Sequence, residues 1–370
     1  MAVVVTGANG FVGKTLMVRL AERGVDAVGF GRGDDEAMLA AVARADFVFH
    51  LAGVNRPQNE EEFVTGNADL TARVCAALAA AGNAAPLVIS SSTQAERDNP
   101  YGRSKRAAED AALAHAAATG APVHVFRLTN VFGKWARPNY NSAVATFCHN
   151  VAHGLPISVN DPAAPLKLVY VDDVCDAFLR VLDDPGGAHG DRPGFAHAGP
   201  EYETTVGAVA DLIRRFPESR TTMVTDRVGT GLTRALHATY LSYLKPEDFA
   251  YDVPRHGDPR GVFVEMLKTP DCGQFSYFTA GPGITRGQHY HHTKTEKFLV
   301  LTGRARFGFR HILTGETFHL ETEGGQGRIV ETIPGWTHDI TNVGDQEMVV
   351  MLWANEIFDR ARPDTVAMKV

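Results

Sequence analysis

The chain has 370 residues, enough for two or three domains with a sizeable core. Its net charge of −7 is spread along the sequence without a basic block, which argues against nucleic acid as a partner, and no apolar run approaches membrane-spanning length. Cys75, Cys148, Cys175 and Cys272 lie far apart with no C-x-x-C pair. Neither a disulfide framework nor a zinc ribbon is therefore indicated, and a reducing, cytoplasmic compartment fits.

The β-branched run at the N-terminus is short, lacks a basic flank and flows straight into glycines, so it reads as a core strand and not as a signal peptide. Gly7, Asn9, Gly10, Phe11, Val12 and Gly13 form the turn after it, and residues 14–23 continue as a helix. Strand, tight turn and helix are the context in which glycines at this spacing let a backbone approach a pyrophosphate, with the free N–H groups of the helix aimed at it. Apolar runs at 25–30, 47–51, 87–89 and 123–127 alternate with helical patterns at 67–81, 101–118 and 206–216, which predicts a doubly wound parallel α/β sheet. Residues 217–258 are mixed, with a short helix at 232–244. From about Gly261 the pattern changes to brief β-rich runs between Gly, Asp, Asn and Pro, an all-β sandwich or barrel. The expected division is a first domain at 1–245, a linker at 246–258 and a second domain at 259–370.

Where the second strand ends, an acid would bind the ribose hydroxyls of NAD, but the sequence gives Gly29-Phe30-Gly31-Arg32. An arginine pairs with a 2′-phosphate, so NADPH is favoured; the alternative is a solvated Arg32 with Asp34 or Asp35 serving the ribose. Tyr101 and Lys105 follow a strand ending in Ser90-Ser91-Ser92 and share a helix face one turn apart. Lowering a tyrosine from about 10 towards 7 requires roughly 4 kcal/mol. An ammonium about 4 Å away at an effective dielectric of about 20 supplies that much. Lys105 is thus expected to make Tyr101 a proton donor to a carbonyl receiving hydride, while Ser92 holds the carbonyl oxygen.

The glycine loop, Leu51-Ala52-Gly53, Asn67, Ser92, Tyr101, Lys105, the run from Arg127 to Gly133 and Val171-Asp172-Asp173 together resemble the extended short-chain dehydrogenase/reductase family that acts on nucleotide sugars. The resemblance covers residues 1–215. It implies a Rossmann-like domain binding NADP(H), with Leu51, Ala52, Gly53, Tyr101 and Lys105 also at the cofactor, Asn67 in the fourth helix, and Asn130, Arg137 and Asn141 on the substrate side. Two departures stand out: a short loop from Ser92 to Tyr101, which leaves Ser91 or Thr93 as alternatives to Ser92, and a short span from Arg32 to Asp46.

Further on, His289 and His291 sit two apart on a predicted strand, so both rings face one side. Glu296 and His338 complete a set of nitrogen and oxygen ligands suited to Zn²⁺ foremost, or Fe²⁺, Mn²⁺ or Ni²⁺. The spacing from Gly283 to Gly303 and from Gly327 to Asn342 resembles both halves of the cupin motif, with Ile333 where a proline is usual and Pro334 one place later. That resemblance implies an all-β cupin barrel; some of its members work without metal through a histidine base, here His289 or His292.

Over the whole chain, with Pro138-Asn-Tyr-Asn141, Phe147-Cys-His-Asn150 and the block from Gly287 to Lys294, the combination is similar to the bifunctional capsular-polysaccharide enzymes of UDP-N-acetyl-L-fucosamine synthesis. The resemblance implies a UDP-linked 4-keto-6-deoxy amino sugar as substrate, epimerised at C3 by the cupin domain and reduced at C4 with NADPH to UDP-2-acetamido-2,6-dideoxy-L-talose, in a homodimer joined through the cupin domain. A C3 proton is acidic only while C4 is a ketone, so epimerisation precedes reduction. Alternatives are a 4-ketoreductase with a non-catalytic cupin module, a 3,5-epimerase/4-reductase on dTDP- or GDP-sugars, and a redox-sensing protein that binds the cofactor without turning it over.

Overall fold

The computed structural model describes residues 1–258, 261–264, 267, 269, 273–356 and 361–370; Cys272 lies outside them. Two compact units are formed, one from Met1–Phe132 and Leu166–Glu203, the other from Gly133–Pro165 and Thr204–Val370. Among the described residues no helix is long and apolar enough to cross a membrane.

The first unit contains, in chain order, β1 (Val3–Thr6), α1 (Phe11–Glu22), β2 (Ala27–Phe30), α2 (Asp35–Val42), β3 (Phe47–His50), α3 (Leu70–Ala80), β4 (Leu87–Ser92), α4 (Pro100–Thr119), β5 (Val123–Leu128) and α5 (Val171–Asp183). The strands form a parallel sheet in the order β2-β1-β3-β4-β5, closed by Phe195–Ala196. Every residue of β1 and β3 is buried, as a sheet covered on both faces requires. Strand alternation sends Val3, Val5, Phe47 and Phe49 against Leu16 and Leu20 of α1 and Val174 and Phe178 of α5. Val4, Val48, Leu87 and Ile89 face the other way, onto Met38, Val42, Val74 and Leu78. The short span after Arg32 holds only α2, so the next strand pairs directly with β1. Strand order therefore reverses at β1, and the loops following β1 and β3 flank the switch point where α/β sheets bind ligands.

Helix α4 starts where its sequence directs. Asn99 accepts a hydrogen bond from the Gly102 N–H at 2.7 Å, Pro100 opens the first turn, and Gly120, at φ +77°, ends the helix. The helix expected from Asn67 instead begins at Leu70, preceded by a π-helical turn at Val64–Asp69.

In the second unit, helices Ala143–Ala152, Val206–Arg215 and Gly231–Leu241 accompany two antiparallel five-stranded sheets. The strands are β6 (Ala250–Asp252), β7 (Gln274–Ala280), β8 (Thr285–Tyr290), β9 (Glu296–Thr302), β10 (Arg304–His311), β11 (Thr317–Glu323), β12 (Arg328–Glu331), β13 (Trp336–Asn342), β14 (Met348–Ala354) and β15 (Val366–Ala367). One sheet runs β6-β12-β9-β14-β7, the other β11-β10-β13-β8-β15. This is the cupin-like barrel, and β6 draws residues of the expected linker into it. Segments 133–165 and 204–245, read above with the first domain, belong to this second unit.

A buried ionic cluster ties helical segment to barrel. Glu331 on β12 accepts from Arg220 at 2.6 Å and from Lys297 on β9, while Lys297 also donates to the Tyr251 hydroxyl at 2.7 Å. Burial alone would raise the Glu331 carboxyl, but Lys297 and Arg220 overcome it and hold the group at about 2. Glu331 therefore contributes stability that is fully present above the ordinary glutamate value of about 4.3 and is lost as pH falls towards 2. Replacing Glu331 with Gln strands two buried cations and is expected to cost about 3–5 kcal/mol at pH 7. Urea denaturation followed by tryptophan fluorescence should show that penalty shrinking as both proteins are taken below pH 4; a penalty independent of pH would contradict the assignment.

Candidate active site and metal cage

At the end of β1 the chain turns so tightly that only glycine fits. Gly7 has φ +70°, and a Cβ there would lie 2.6 Å from the Ala52 nitrogen; at Gly13 it would lie 2.2 Å from the Gly7 carbonyl oxygen. Gly10 N–H donates to Gly7 O and Lys14 N–H to Gly10 O, both at 2.9 Å. No side chain caps α1, so its first N–H groups, at Phe11, Val12 and Gly13, are left to an anionic ligand. The Asn9 amide lies over Gly31, where a Cβ would come within 2.4 Å of it. Arg32 follows, exposed, and Asp35 is paired with Arg73 at 2.6 Å.

The loop after β3 is fixed by polar bonds. Thr6 Oγ1 lies 2.7 Å from His50 Nδ1 and accepts the Ala52 N–H at 3.2 Å, while His50 Nε2 meets Thr71 Oγ1 at 3.0 Å. Burial, reinforced by Lys105, pushes His50 down to about 3, so the ring is neutral. Asn67, in the π-helical turn, receives the Val54 N–H at 2.9 Å and donates to Val54 O at 2.9 Å and Ser104 Oγ at 3.0 Å. Its side chain takes the place of a strand partner for the loop, which accounts for the local departure from α-helix. A Cβ on Gly53 would lie 2.7 Å from Asn67 Oδ1 and 3.1 Å from Lys105 Nζ. Gly53 is thereby brought against Lys105 of α4, while Leu51 and Ala52 before it lie against Gly7.

Ser92 and Tyr101 are joined by a side-chain hydrogen bond, and the Tyr101 ring packs 5.5 Å from that of Phe63. Ser91 is engaged elsewhere: its hydroxyl donates to Glu109 at 2.5 Å, and Thr93 is exposed. Lys105 is buried and donates to Ser90 O at 3.0 Å; burial lowers it to about 8, with Glu109 opposing. One expectation is corrected. Tyr101 is not drawn down by Lys105: burial raises its phenol and the Ser92 hydrogen bond only partly offsets this, because a phenolate here would be desolvated. The group is a protonated phenol at neutral pH. Sequence reading did not find the Ser91–Glu109–Arg127 cluster, in which Arg127 grips Glu109 through Nε at 2.9 Å and Nη2 at 2.6 Å. A buried glutamate two turns from a tyrosine carries no pattern of its own.

Among the substrate-side residues, Asn130 is exposed and donates to Lys167 O at 2.9 Å. In the second unit, Arg137 and Asn141 are exposed, and the Arg137 guanidinium stands 5.4 Å from the Tyr140 ring centre. Beside them Trp135, at φ +69°, lies against Gly335, where a Cβ would fall 3.0 Å from the indole.

The four predicted ligands meet. His289, His291, Glu296 and His338 each present one ligand atom, all within 4.8 Å of one another. His289 on β8 is opposite His338 on β13, in a register set by a bulge at Gly287 and Gln288, and Glu296 comes from the other sheet. His291 lies just past the end of β8, so the turn rather than strand alternation aims it; its ring centre is still 4.9 Å from that of His289. Its Nδ1 faces the Asp364 carbonyl at 2.5 Å and must carry the proton. His291 Nε2 is hydrogen-bonded to Glu296 Oε2 at 3.2 Å, whereas His338 Nε2, 3.4 Å from the same oxygen, makes no aligned hydrogen bond. Burial, and then His338 and His291, push His289 down to about 4, which leaves it a neutral donor of its lone pair. Both His338 ring nitrogens are buried without a hydrogen-bond partner, and three imidazoles with one carboxylate at this spacing fit Zn²⁺, Fe²⁺, Mn²⁺ or Ni²⁺.

Residues 3–192 match the model of the NAD dependent epimerase/dehydratase family, and residues 256–366 match the polysaccharide biosynthesis C-terminal domain. A UDP-2-acetamido-2,6-beta-L-arabino-hexul-4-ose reductase of Pseudomonas aeruginosa is 56% identical over 372 residues, covering 100% of this chain and 99% of that protein. The crystal structure of the capsular polysaccharide assembling protein CapF from Staphylococcus aureus is 38% identical and covers 100% of both chains, with a TM-score of 0.67. A UDP-glucose 4-epimerase of Thermotoga maritima shares the fold at 22% identity, over 59% of this chain and 83% of that one, with a TM-score of 0.52.

Asn67→Ala would leave the Val54 N–H and carbonyl short of a protein partner, while the Ser104 hydroxyl keeps its bond to the Tyr101 carbonyl. Each buried unsatisfied group costs about 1–3 kcal/mol. Chemical denaturation should register a loss in that range, and amide exchange at Val54 should accelerate; an unchanged Val54 amide would show that the loop is held by other means.

Proposed function

The chain belongs to the NAD dependent epimerase/dehydratase family and carries a polysaccharide biosynthesis C-terminal domain, and from that premise we propose that it is a nucleotide-sugar 3-epimerase/4-reductase. It is an NAD(P)-dependent oxidoreductase. The substrate in this reading is a UDP-2-acetamido-2,6-dideoxy-4-ketohexose and the product UDP-2-acetamido-2,6-dideoxy-L-talose, made in the cytoplasm by a homodimer joined through the barrel. Exposed Phe275 and Tyr277 on edge strand β7 suit such an interface. The observation that carries the reading is the presence on one chain of the Ser92/Tyr101/Lys105 set and the His289/His291/Glu296/His338 cage. Residues 1–245 serve reduction, 259–370 epimerisation and 246–258 join them, a division of chemistry rather than of packing.

In the reductase half, Gly7, Asn9, Gly10, Phe11, Val12, Gly13, Arg32, Leu51, Ala52, Gly53, Tyr101 and Lys105 would hold NADPH, which when bound supplies a hydride to C4. Tyr101, protonated at neutral pH, gives its proton to the C4 oxygen, so ketone, hydride and proton balance to an alcohol. Ser92 orients that oxygen, and Lys105, one turn along α4 and bonded to the Ser90 carbonyl, stands on the cofactor side beside Gly53. Asn130, Arg137 and Asn141 contact the sugar nucleotide. In the barrel, transfer of the C3 proton to a base would leave an enolate, whose charge a divalent cation, Zn²⁺ foremost, held by the cage would offset, and return of a proton to the opposite face of C3 would complete the inversion.

A 4-ketoreductase with a non-catalytic barrel is the second reading, favoured by the name of the Pseudomonas relative, which specifies reduction alone. Incubating the protein with the 4-keto sugar in deuterated water without NADPH separates the two: deuterium entering C3 supports epimerisation, and its absence supports the second reading. Tyr101→Phe is expected to lower NADPH-dependent reduction by about 10²- to 10⁴-fold while C3 exchange continues. Loss of both activities in a folded variant would defeat the two-site model. Arg32→Glu places a repulsive charge at the 2′-phosphate and should shift the ratio of kcat/KM values from NADPH towards NADH; an unchanged ratio would show that Arg32 does not read the phosphate.

A further inference from the structure

The last residues of the chain run across the strands that carry the cage. β15 pairs with β8, placing Ala367 opposite His289 and Val366 opposite Tyr290, and the Met368 N–H donates to Gln288 O at 2.9 Å. The Thr337 hydroxyl, next to His338, donates to Met368 O at 2.5 Å. Arg310 donates to Lys369 O.

Asp364 begins this segment in the left-handed region at φ +38°, a conformation that aspartate tolerates better than most residues. The turn allows one residue to bind in two directions. Its carbonyl accepts from His291 Nδ1 at 2.5 Å, and its carboxylate accepts the N–H groups of His292, Thr293 and Lys294 at 2.9, 2.8 and 2.7 Å. The Thr293 hydroxyl adds a fourth bond at 3.1 Å, and Lys294 Nζ reaches back to Thr365 Oγ1 at 2.9 Å and Pro363 O at 3.3 Å. Three consecutive N–H groups that would otherwise be unpaired after β8 thus converge on one carboxylate, and His291 is locked in the tautomer that leaves Nε2 open to the cage.

We propose that Asp364 is a positioning residue for the metal cage, and that residues 364–370 form a strap fixing His291 in its ligating tautomer and orientation. The inference rests on the reading that His289, His291, Glu296 and His338 hold a divalent cation. The partner of His291 is the Asp364 backbone carbonyl, so the carboxylate acts by holding the turn that aims this carbonyl; disturbing the outer partner of a metal-bound histidine typically weakens metal binding by about 10- to 100-fold.

The test uses full-length wild type, Asp364→Ala and Lys294→Met, stripped with chelator and titrated with Zn²⁺ against a chromogenic competitor. Co²⁺ absorption spectra and melting of the metal-free proteins are recorded alongside. Wild type should bind one ion per chain. Asp364→Ala, which also strands three backbone N–H groups and so melts lower without metal, should bind about 10- to 100-fold more weakly with an altered Co²⁺ visible band when both are recorded well below its melting temperature. Lys294→Met, which loosens the strap from one side only, should lie in between. Wild-type affinity and spectrum in a folded Asp364→Ala protein would overturn the strap alone. No ion bound by wild type would overturn the cage, and the strap with it. Should Asp364→Ala fail to fold, Lys294→Met decides: weakened binding supports the strap and unchanged binding overturns it.

Discussion

Glu331 is the constraint on which the second unit turns. An isolated carboxylate at its depth would be prohibitively costly, and it is tolerated because Arg220 and Lys297 approach from different segments while Tyr251 satisfies Lys297. The segments supplying these groups, around 220, 251, 297 and 331, can meet in only one register. That requirement fastens the helical segment to the barrel and fixes the pairing of β6, β12 and β9. The adjacent residue on β9 is Glu296, so alternation along the strand sends one carboxylate to the cage and the next side chain to the ionic cluster.

The two candidate sites use opposite electrostatics. Around Tyr101 the polar groups are satisfied and neutral or singly charged: His50 is uncharged between two threonines, Asn67 completes its hydrogen bonds, and Lys105 has a carbonyl to bind. In the barrel the reverse holds, since both His338 ring nitrogens are buried without a hydrogen-bond partner beside the Glu296 carboxylate.

Much of this was legible in the sequence, for physical reasons that differ from place to place. Gly7 and Gly13 were readable because a close backbone approach admits no other residue, and β1, β3 and the first half of β4 because strands covered on both faces carry runs of apolar residues. The four clustered residues were readable as a set because few residue types carry such donor atoms, although His289 and Glu296 lie in different sheets. The π-helical turn at Asn67 was not, since only the bonds to Val54 and Ser104 make it preferable to α-helix. Nor was the state of Tyr101, where the separation from Lys105 along α4 suggested a lowered phenol and burial imposed a raised one.

By itself, then, the sequence determined the element types, the α/β sheet followed by a barrel, and which side chains could carry chemistry, because periodicity and residue type are local properties of the chain. Tertiary structure alone decided three things. The strand after α2 joined β1 directly, residues 133–165 and 204–249 packed with the barrel, and Asp364 reached His291 from 73 positions away. Each depends on which distant groups can satisfy one another once buried, and no local pattern records that.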